Sequence, residues 1–446
     1  MHNSSQTFLK KILNIVLLFA IIIAMLGFFT DLRNTIKTGG VDLRNRVVGA
    51  RLLSRGLDPY YYKWTPGQDE KLLDPLDKPE LPFSRVTVPP SILLLHLPLA
   101  NLPYFSQRVI WLFLQWGALI CSCLLLIKAN LNNLKQKLLW ITVLIFIFGN
   151  NFWRLHTGVG QIYVFYVLFL SLAYWISQKN IKHKDIIIGC LIGFTASIRL
   201  PIIVMILPMI IFKKFKVVTA TLSGLCLSLF VFFIFTGQKA WGSYFSAMST
   251  IGKMNLVAKQ SHNVDKFVMP TIIEGMNNLT IIPKVSFSNT SLQDLSKNIL
   301  GFTINGSVLI GICCLFLVLL SIMFNYCYRT NNPKYKQFAW DIFFLVGTLM
   351  ILIVDFFIPA PRYTYNDIQF LIPLFLVLKN INFFNNKSIS YICLLILGLF
   401  LTNGMFSWIP RGVQVGDFLF VSAMILVSLN KNVLFAKTDS ESDIIL

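Results

Sequence analysis

The amino-acid sequence predicts an all-α, polytopic membrane protein of about twelve transmembrane helices, one of them a broken hairpin, with two long extracytoplasmic loops. Three observations carry this. Hydrophobic residues make up 55% of the chain, with 39 Phe and only 13% charged residues, and the mean hydropathy is +0.68; a soluble domain of average composition has neither. Apolar runs near the length that crosses a hydrocarbon core of about 30 Å recur along the whole chain. Lys and Arg cluster in alternate connections, as positive-inside topology requires.

The runs fall near 12–29, 107–127, 138–151, 162–177, 186–212, 217–236, 301–324, 338–358, 368–379, 389–408 and 416–430. The first lies behind Lys10 and Lys11 like a signal-peptide core. No clean small-residue cleavage site follows, so it reads as a retained anchor. Segment 186–212 is basic at both ends, with Arg199-Leu200-Pro201 in its middle. It is expected to enter and leave on one side, bent at that break. Counted as two short helices, it brings the total to about twelve and puts both termini inside. All of it forms one membrane domain over residues 1–446.

The formal charge of +20 does not argue for nucleic acid. Most cations fall in the inside loops, where they set topology and meet anionic headgroups. Arg44, Arg46, Arg51, Arg55, Arg85, Arg154 and Arg362 fall on the outside, against that bias, and an anionic ligand is a natural reason. The eight cysteines lie in or beside apolar spans without a CxxC, as small hydrophobes.

Two outside connections are long, roughly 30–105 and 237–300, and loops of that length usually cover something. The first opens with Gly39-Gly40-Val41-Asp42. A helix over 42–55 would place Asp42 at its N-cap, Leu43, Val47 and Ala50 on one face, and Arg44, Arg51 and Arg55 on another. That describes an amphipathic helix on the membrane surface with a basic stripe. Read from pattern alone, Asp42 is either only a cap or a carboxylate held at the mouth of a site.

Motifs in order along the chain resemble glycosyltransferase family 87. The first is Val41-Asp42-Leu43-Arg44 running on to Ala50-Arg51-Leu52-Leu53-Ser54-Arg55-Gly56-Leu57-Asp58-Pro59-Tyr60. Then come Val88-Pro89-Pro90 with Leu97-Pro98-Leu99-Ala100-Asn101-Leu102-Pro103-Tyr104 and Trp111, and Gly160-Gln161 opening a span. The bent segment from Gly189 to Pro208 follows, and last Arg362-Tyr363-Thr364-Tyr365-Asn366-Asp367. The resemblance implies a multi-spanning GT-C-type fold and transfer of a hexose, typically mannose, from a polyprenyl-phosphate donor. One departure is Arg199, where the family pattern leads us to expect Lys before the Pro. The charge is kept and a bidentate phosphate contact becomes available.

Asp42 matches the position of the family's proposed catalytic carboxylate. An inverting transfer needs one general base for the acceptor hydroxyl and cations for the leaving phosphate; the paired carboxylates of glycosidases are not evident. Nearby arginines and the helix N-terminus are expected to keep Asp42 ionised. Arg199 and Arg362 are the expected phosphate ligands. A structural pair with a buried acid such as Asp355 is the competing role for Arg199, and a plain interfacial arginine for Arg362. Arg44, Arg46, His156, Gln161, His262, Tyr363, Tyr365 and Asp367 are candidate donor- or acceptor-binding residues.

No HxxH, HExxH or paired DxD stands in the outside loops, and Asp69-Glu70 and Asp74…Asp77 read as loop solvation. No metal and no cofactor are expected. The expected partners are a polyprenyl-phosphate sugar, a lipid-linked or envelope glycan acceptor and membrane lipids, with no nucleic acid. The expected location is a bacterial inner membrane, the site facing the periplasm. A multi-spanning transporter or flippase, or a polysaccharide polymerase or ligase, is the alternative; the first would normally carry an internal repeat, which this chain lacks.

Overall fold

The computed structural model describes residues 2–37, 40–74, 76–77, 80–128, 136, 140–141, 151–257, 289–328, 338–381, 386–402, 411–430 and 433–434. Among them every regular element is helical, and strand pairing is limited to the isolated bridges Asn289–Tyr363 and Ile381–Leu434. A chain that must satisfy its backbone in hydrocarbon uses helices for this reason.

The helices are α1 (His2–Lys37), α2 (Val41–Ser54), α3 (Pro90–His96), α4 (Tyr104–Ile127), α5 (Asn151–Val159), α6 (Tyr163–Ser177), α7 (Lys184–Ile198) and α8 (Ile206–Ile211). After them come α9 (Phe215–Val257), α10 (Leu292–Leu300), α11 (Gly306–Cys327), α12 (Ala339–Phe357), α13 (Leu371–Asn380), α14 (Asn386–Thr402) and α15 (Gly412–Leu429). Six are long and apolar enough to cross a membrane: α1 from Lys11, α4, α9 as far as Ile251, α11, α12 and α15. A seventh span results if α5 and α6, bent by 112° between Phe152–Val159 and Tyr163–Ser177, count as one.

The expected twelve crossings are therefore not reached among the described residues. Several apolar runs form helices too short to span, including α14 and the broken 200–211 piece; most of the run at 138–151 lies outside the described residues. The break in 186–212 falls where the sequence puts it. Arg199 is extended (φ −136°, ψ 98°) and is followed by a 3-10 turn, Leu200–Met205, and then α8. Pro201 sits in the first turn of that segment, where its missing N–H costs no hydrogen bond.

Packing orders these pieces. α12 is the central span, buried along nearly its whole length, and contacts α11, α13, α15 and α8. α7 and α9 pack closest: a Cβ on Gly193 would lie 2.3 Å from the Thr221 carbonyl oxygen, and one on Gly189 2.5 Å from the Ala220 Cβ. Small residues spaced by four let two apolar helices approach to backbone contact. Helix α1 leaves most of its side chains from Lys11 onward exposed. It is held at Asp31, which accepts from Trp116 Nε1 (3.1 Å), and at Thr35, whose carbonyl accepts from Arg108 (2.6 Å).

The two loop regions differ from expectation. α9 does not stop at 236; it bends at Gly237 and continues as helix to Val257. Trp241, Tyr244, Ala247, Met248 and Ile251 recur at helical spacing, and the last four pack on Tyr60, Phe83, Val86 and Leu93 of the first loop. Apolar burial thus favours helix where polar neighbours suggested loop. His262 lies outside the described residues.

Nor does α2 lie on the surface. Its residues Val41 and Leu43 through Leu52 are buried, and loop segments cover its arginines. Arg44 donates to the carbonyls of Leu73 (3.1 Å) and Glu70 (3.0 Å), and Arg51 to those of Ala100 (2.6 Å) and Lys71 (2.7 Å). Irregular loop packed on a helix leaves carbonyls without ladder partners, and a guanidinium with five donors satisfies several at once. Arg55 alone of the stripe is exposed, paired with Asp69 at 2.6 Å.

Candidate active site

Gly40 takes a left-handed conformation (φ 54°, ψ 52°) and is the N-cap of α2; Asp42 makes no capping bond. The cap lies two residues earlier than expected, which places Asp42 inside the first turn and frees its carboxylate from the backbone amides. The side chain, 24% exposed, turns instead toward the elbow between α5 and α6.

Gly160 and Gln161 form that elbow. Gly160 has φ 78°, and a Cβ on it would sit 2.6 Å from the Leu43 Cβ, so only glycine lets α2 approach. Its carbonyl accepts from Arg46 (2.8 Å) and from Trp111 Nε1 (3.1 Å). The Gln161 carbonyl accepts from Gln115 Nε2 (2.7 Å). Arg46 also donates to Gln161 Oε1 (2.6 Å), and Gln161 Nε2 donates in a short hydrogen bond to Asp42 Oδ2. The two partners fix the amide orientation, because arginine only donates and a carboxylate only accepts. Arg46 thereby positions Gln161, and Gln161 positions Asp42.

The second Asp42 oxygen, Oδ1, lies 3.8 Å from Arg85, whose guanidinium also reaches Asp74 at 3.4 Å. Asp74 is buried rather than solvated as expected, and accepts from Asn45 Nδ2 (2.9 Å) and the Leu76 amide (3.1 Å). Burial raises the Asp42 carboxyl above its ordinary 3.8; the positive Arg46 and Arg85 oppose the rise without cancelling it. The arginines therefore do not hold it low, as the sequence suggested.

Facing Asp42 is a row of half-buried tyrosines. Tyr363 and Tyr365 stand 5.5 Å apart, ring to ring, and Tyr365 is 5.8 Å from Tyr163. Burial, and after it the negative Asp42, pushes both the Tyr363 and Tyr365 phenols up. Beyond Tyr163 comes Arg199, 4.5 Å over its ring. Asp42 and Arg199 thus stand at the two ends of one tyrosine-lined, partly open face. Arg199 is also bonded to Asp355 Oδ2 (2.6 Å), which accepts in addition from Gln369 (2.9 Å). The structural pairing weighed from sequence is present, and 14% of the Arg199 side chain stays exposed beside it.

The other candidates stand behind this face. Arg362 is buried among carboxylates and a hydroxyl: Asp367 at 2.7 Å, Asp417 at 2.9 Å and Thr290 at 2.5 Å. With two acids on one guanidinium, its charge is already compensated. Its role is to tie the 360–370 segment to α15 and to the end of the second loop. Asp367, expected to bind substrate, belongs to this cluster, and burial and the neighbouring Asp417 push its carboxyl well up. His156 is fully buried, stacked on Trp153 at 5.2 Å, and its Nε2 accepts from the Val164 amide (3.3 Å). It braces the elbow. Arg44 serves the loop carbonyls.

Arg85 and Tyr163 belong to the open face and were not among the sequence candidates. Arg85 had a signal, an outside cation against the topological bias; Tyr163 had only its place two residues after Gln161. Among the described residues no group of three or more His, Cys, Asp or Glu could hold a metal ion. The arrangement can accept a proton at Asp42 and set positive charge at Arg85 and Arg199 on either side of a bound ligand.

A model of glycosyltransferase family 87 matches residues 87–354, more than half of the chain. Gln161, Tyr163 and Arg199 fall inside that range, while Asp42 and Arg85 precede it and Asp355 and Arg362 follow it. Comparison with curated proteins gives no match.

Proposed function

The chain belongs to glycosyltransferase family 87, a membrane glycosyltransferase, and from that premise we propose that it moves a hexose, mannose by family habit, from a polyprenyl-phosphate sugar to a lipid-linked or envelope glycan. The observation that carries this reading is the pairing of one half-open carboxylate, Asp42, with a cation, Arg199, across a wall of tyrosines.

The acceptor hydroxyl attacks the anomeric carbon from the face opposite the phosphate. Asp42 takes its proton as the new C–O bond forms. The bond from the anomeric carbon to the phosphate oxygen breaks, and polyprenyl phosphate leaves with the electron pair. The anomeric centre inverts. Phosphate is a good leaving group when its growing charge is met by a cation, so no acid is needed. Arg199 supplies that charge on the Tyr163 side. Arg46 and Gln161 hold the base, Tyr363 and Tyr365 offer faces and hydroxyls to sugar, and Arg362 with Asp367 keeps that tyrosine segment in place. Tyrosines suit the task, because an apolar ring with a polar edge matches a sugar.

In this reading the site opens to the periplasmic side of a bacterial inner membrane, with both termini cytoplasmic. The test is to reconstitute the protein in vesicles with polyprenyl-phosphate mannose labelled in the sugar. Label should pass to an extractable acceptor with inverted anomeric configuration, releasing polyprenyl phosphate. Movement of intact donor between leaflets, with no release, would overturn the reading in favour of a flippase.

A further inference from the structure

The arginines near Asp42 sort by what their donors hold. Arg46 is bonded to Gly160 and Gln161, Arg44 and Arg51 to loop carbonyls, and Arg199 to Asp355. Arg85 differs. Both its contacts are long, 3.4 Å to Asp74 and 3.8 Å to Asp42, and 28% of its side chain is exposed. At 3.8 Å the second is an ion pair without a hydrogen bond.

Its backbone, by contrast, is pinned. The neighbouring Ser84 hydroxyl donates to the Pro59 carbonyl (2.6 Å) and accepts from the Val86 amide (3.1 Å), and Val86 is buried against α9. Its two acids are pinned as well, Asp42 by Gln161 and Asp74 by Asn45. A fixed root, fixed neighbours and a loosely held fork describe a guanidinium ready to change partners.

Resting on the transferase reading, we propose that Arg85 is a second clamp on the donor phosphate, opposite Arg199, and that its side chain swings from Asp42 to the phosphate oxygens when a prenyl-phosphate ligand binds. A guanidinium matches two phosphate oxygens at once, and such charge-assisted pairs outcompete long, single contacts. The exchange also times the chemistry. Asp42 keeps its cation while the site is empty and loses it when the donor arrives, so it becomes more basic as the acceptor proton has to be taken. The remaining groups that face Asp42 are Arg46 on its own helix, Asp74 in the loop, Gln161 at the elbow, Tyr104 on α4, and Tyr363 and Tyr365. None of these is a loosely held cation.

The test uses full-length protein in nanodiscs, with farnesyl monophosphate and farnesol as paired probes. Arg85→Gln should weaken farnesyl monophosphate binding by about tenfold or more, about 1.4 kcal/mol, leave farnesol binding unchanged, and move the acid limb of kcat/KM to higher pH. Arg85→Lys should keep part of the affinity, and Arg55→Gln, on the exposed end of the same loop, should change nothing. Equal loss of both probes would mean a structural role, and unchanged phosphate binding would remove the clamp; either overturns the proposal. Its fate separates from that of the transferase reading. If Arg85 governs phosphate binding but no sugar is ever transferred, the site stands and the reaction falls. If sugar is transferred and Arg85→Gln binds phosphate normally, the clamp alone falls.

Discussion

A carboxylate in the first turn of a helix usually caps it, and Asp42 is free to do chemistry because Gly40 takes that place. One oxygen is held by Gln161 and the other looks toward Arg85 and the open face. The pH dependence follows from its surroundings. Burial raises the carboxyl from its ordinary 3.8, and a general base works only when deprotonated. Activity should therefore fall as pH drops through that raised value, with an acid limb in kcat/KM above the usual carboxylate range near 4. A pH–rate profile checks this; a rate unchanged down to pH 4 would assign the limb to no buried carboxylate. At this scale the sequence was a partial guide. The partly open position of Asp42 and the Arg199–Asp355 pair were both legible, since an acid after the first span and a charge in a broken helix each need a reason. What Arg44, Arg51 and Arg362 hold was not, because their partners are carbonyls and acids brought together only by the folded loops.

Among elements, the elbow between α5 and α6 controls the site, since it carries Gln161 and receives α2 at Gly160. Gly160→Ala places a methyl 2.6 Å from the Leu43 Cβ at a backbone with φ 78°. The left-handed conformation alone costs about 1 to 2 kcal/mol for a residue with a Cβ, and the contact adds to it. We expect a lower melting temperature in detergent and a loss of activity larger than the loss of folded protein, because α2 must move away from Gln161. Gly242→Ala, in ordinary helical backbone on the outer part of α9 with nothing within 4 Å, is the control and should leave activity unchanged and the melting temperature the same or slightly higher. Of the elements themselves, the 3.6-residue pattern and Pro201 disclosed most. The outer half of α9 escaped because Gly237 and a polar flank look like the end of a span; its apolar stripe has meaning only against the first loop.

Across the whole molecule, the first loop, the elbow and the 360–370 segment meet over a bundle centred on α12, and the open tyrosine face lies where they meet. Composition disclosed the membrane and the helices, yet it overcounted the crossings. Hydropathy registers any apolar run, whereas only six or seven described helices have the length to span; short runs such as α8 and α13 pack as partial helices against α12. The family match carries the activity class, and its range leaves out both Asp42 and Arg85, so Asp42 as the base rests on the motif around Val41-Asp42-Leu43-Arg44 and on geometry. The most direct measurement is the rate of sugar transfer from polyprenyl-phosphate mannose by wild type and Asp42→Asn, in nanodiscs, with melting temperature recorded for both. Asp42 as the base predicts an unchanged melting temperature and a rate lower by about 10²- to 10⁴-fold, the range of a lost general base. An Asp42→Asn protein that transfers sugar at the wild-type rate would contradict it.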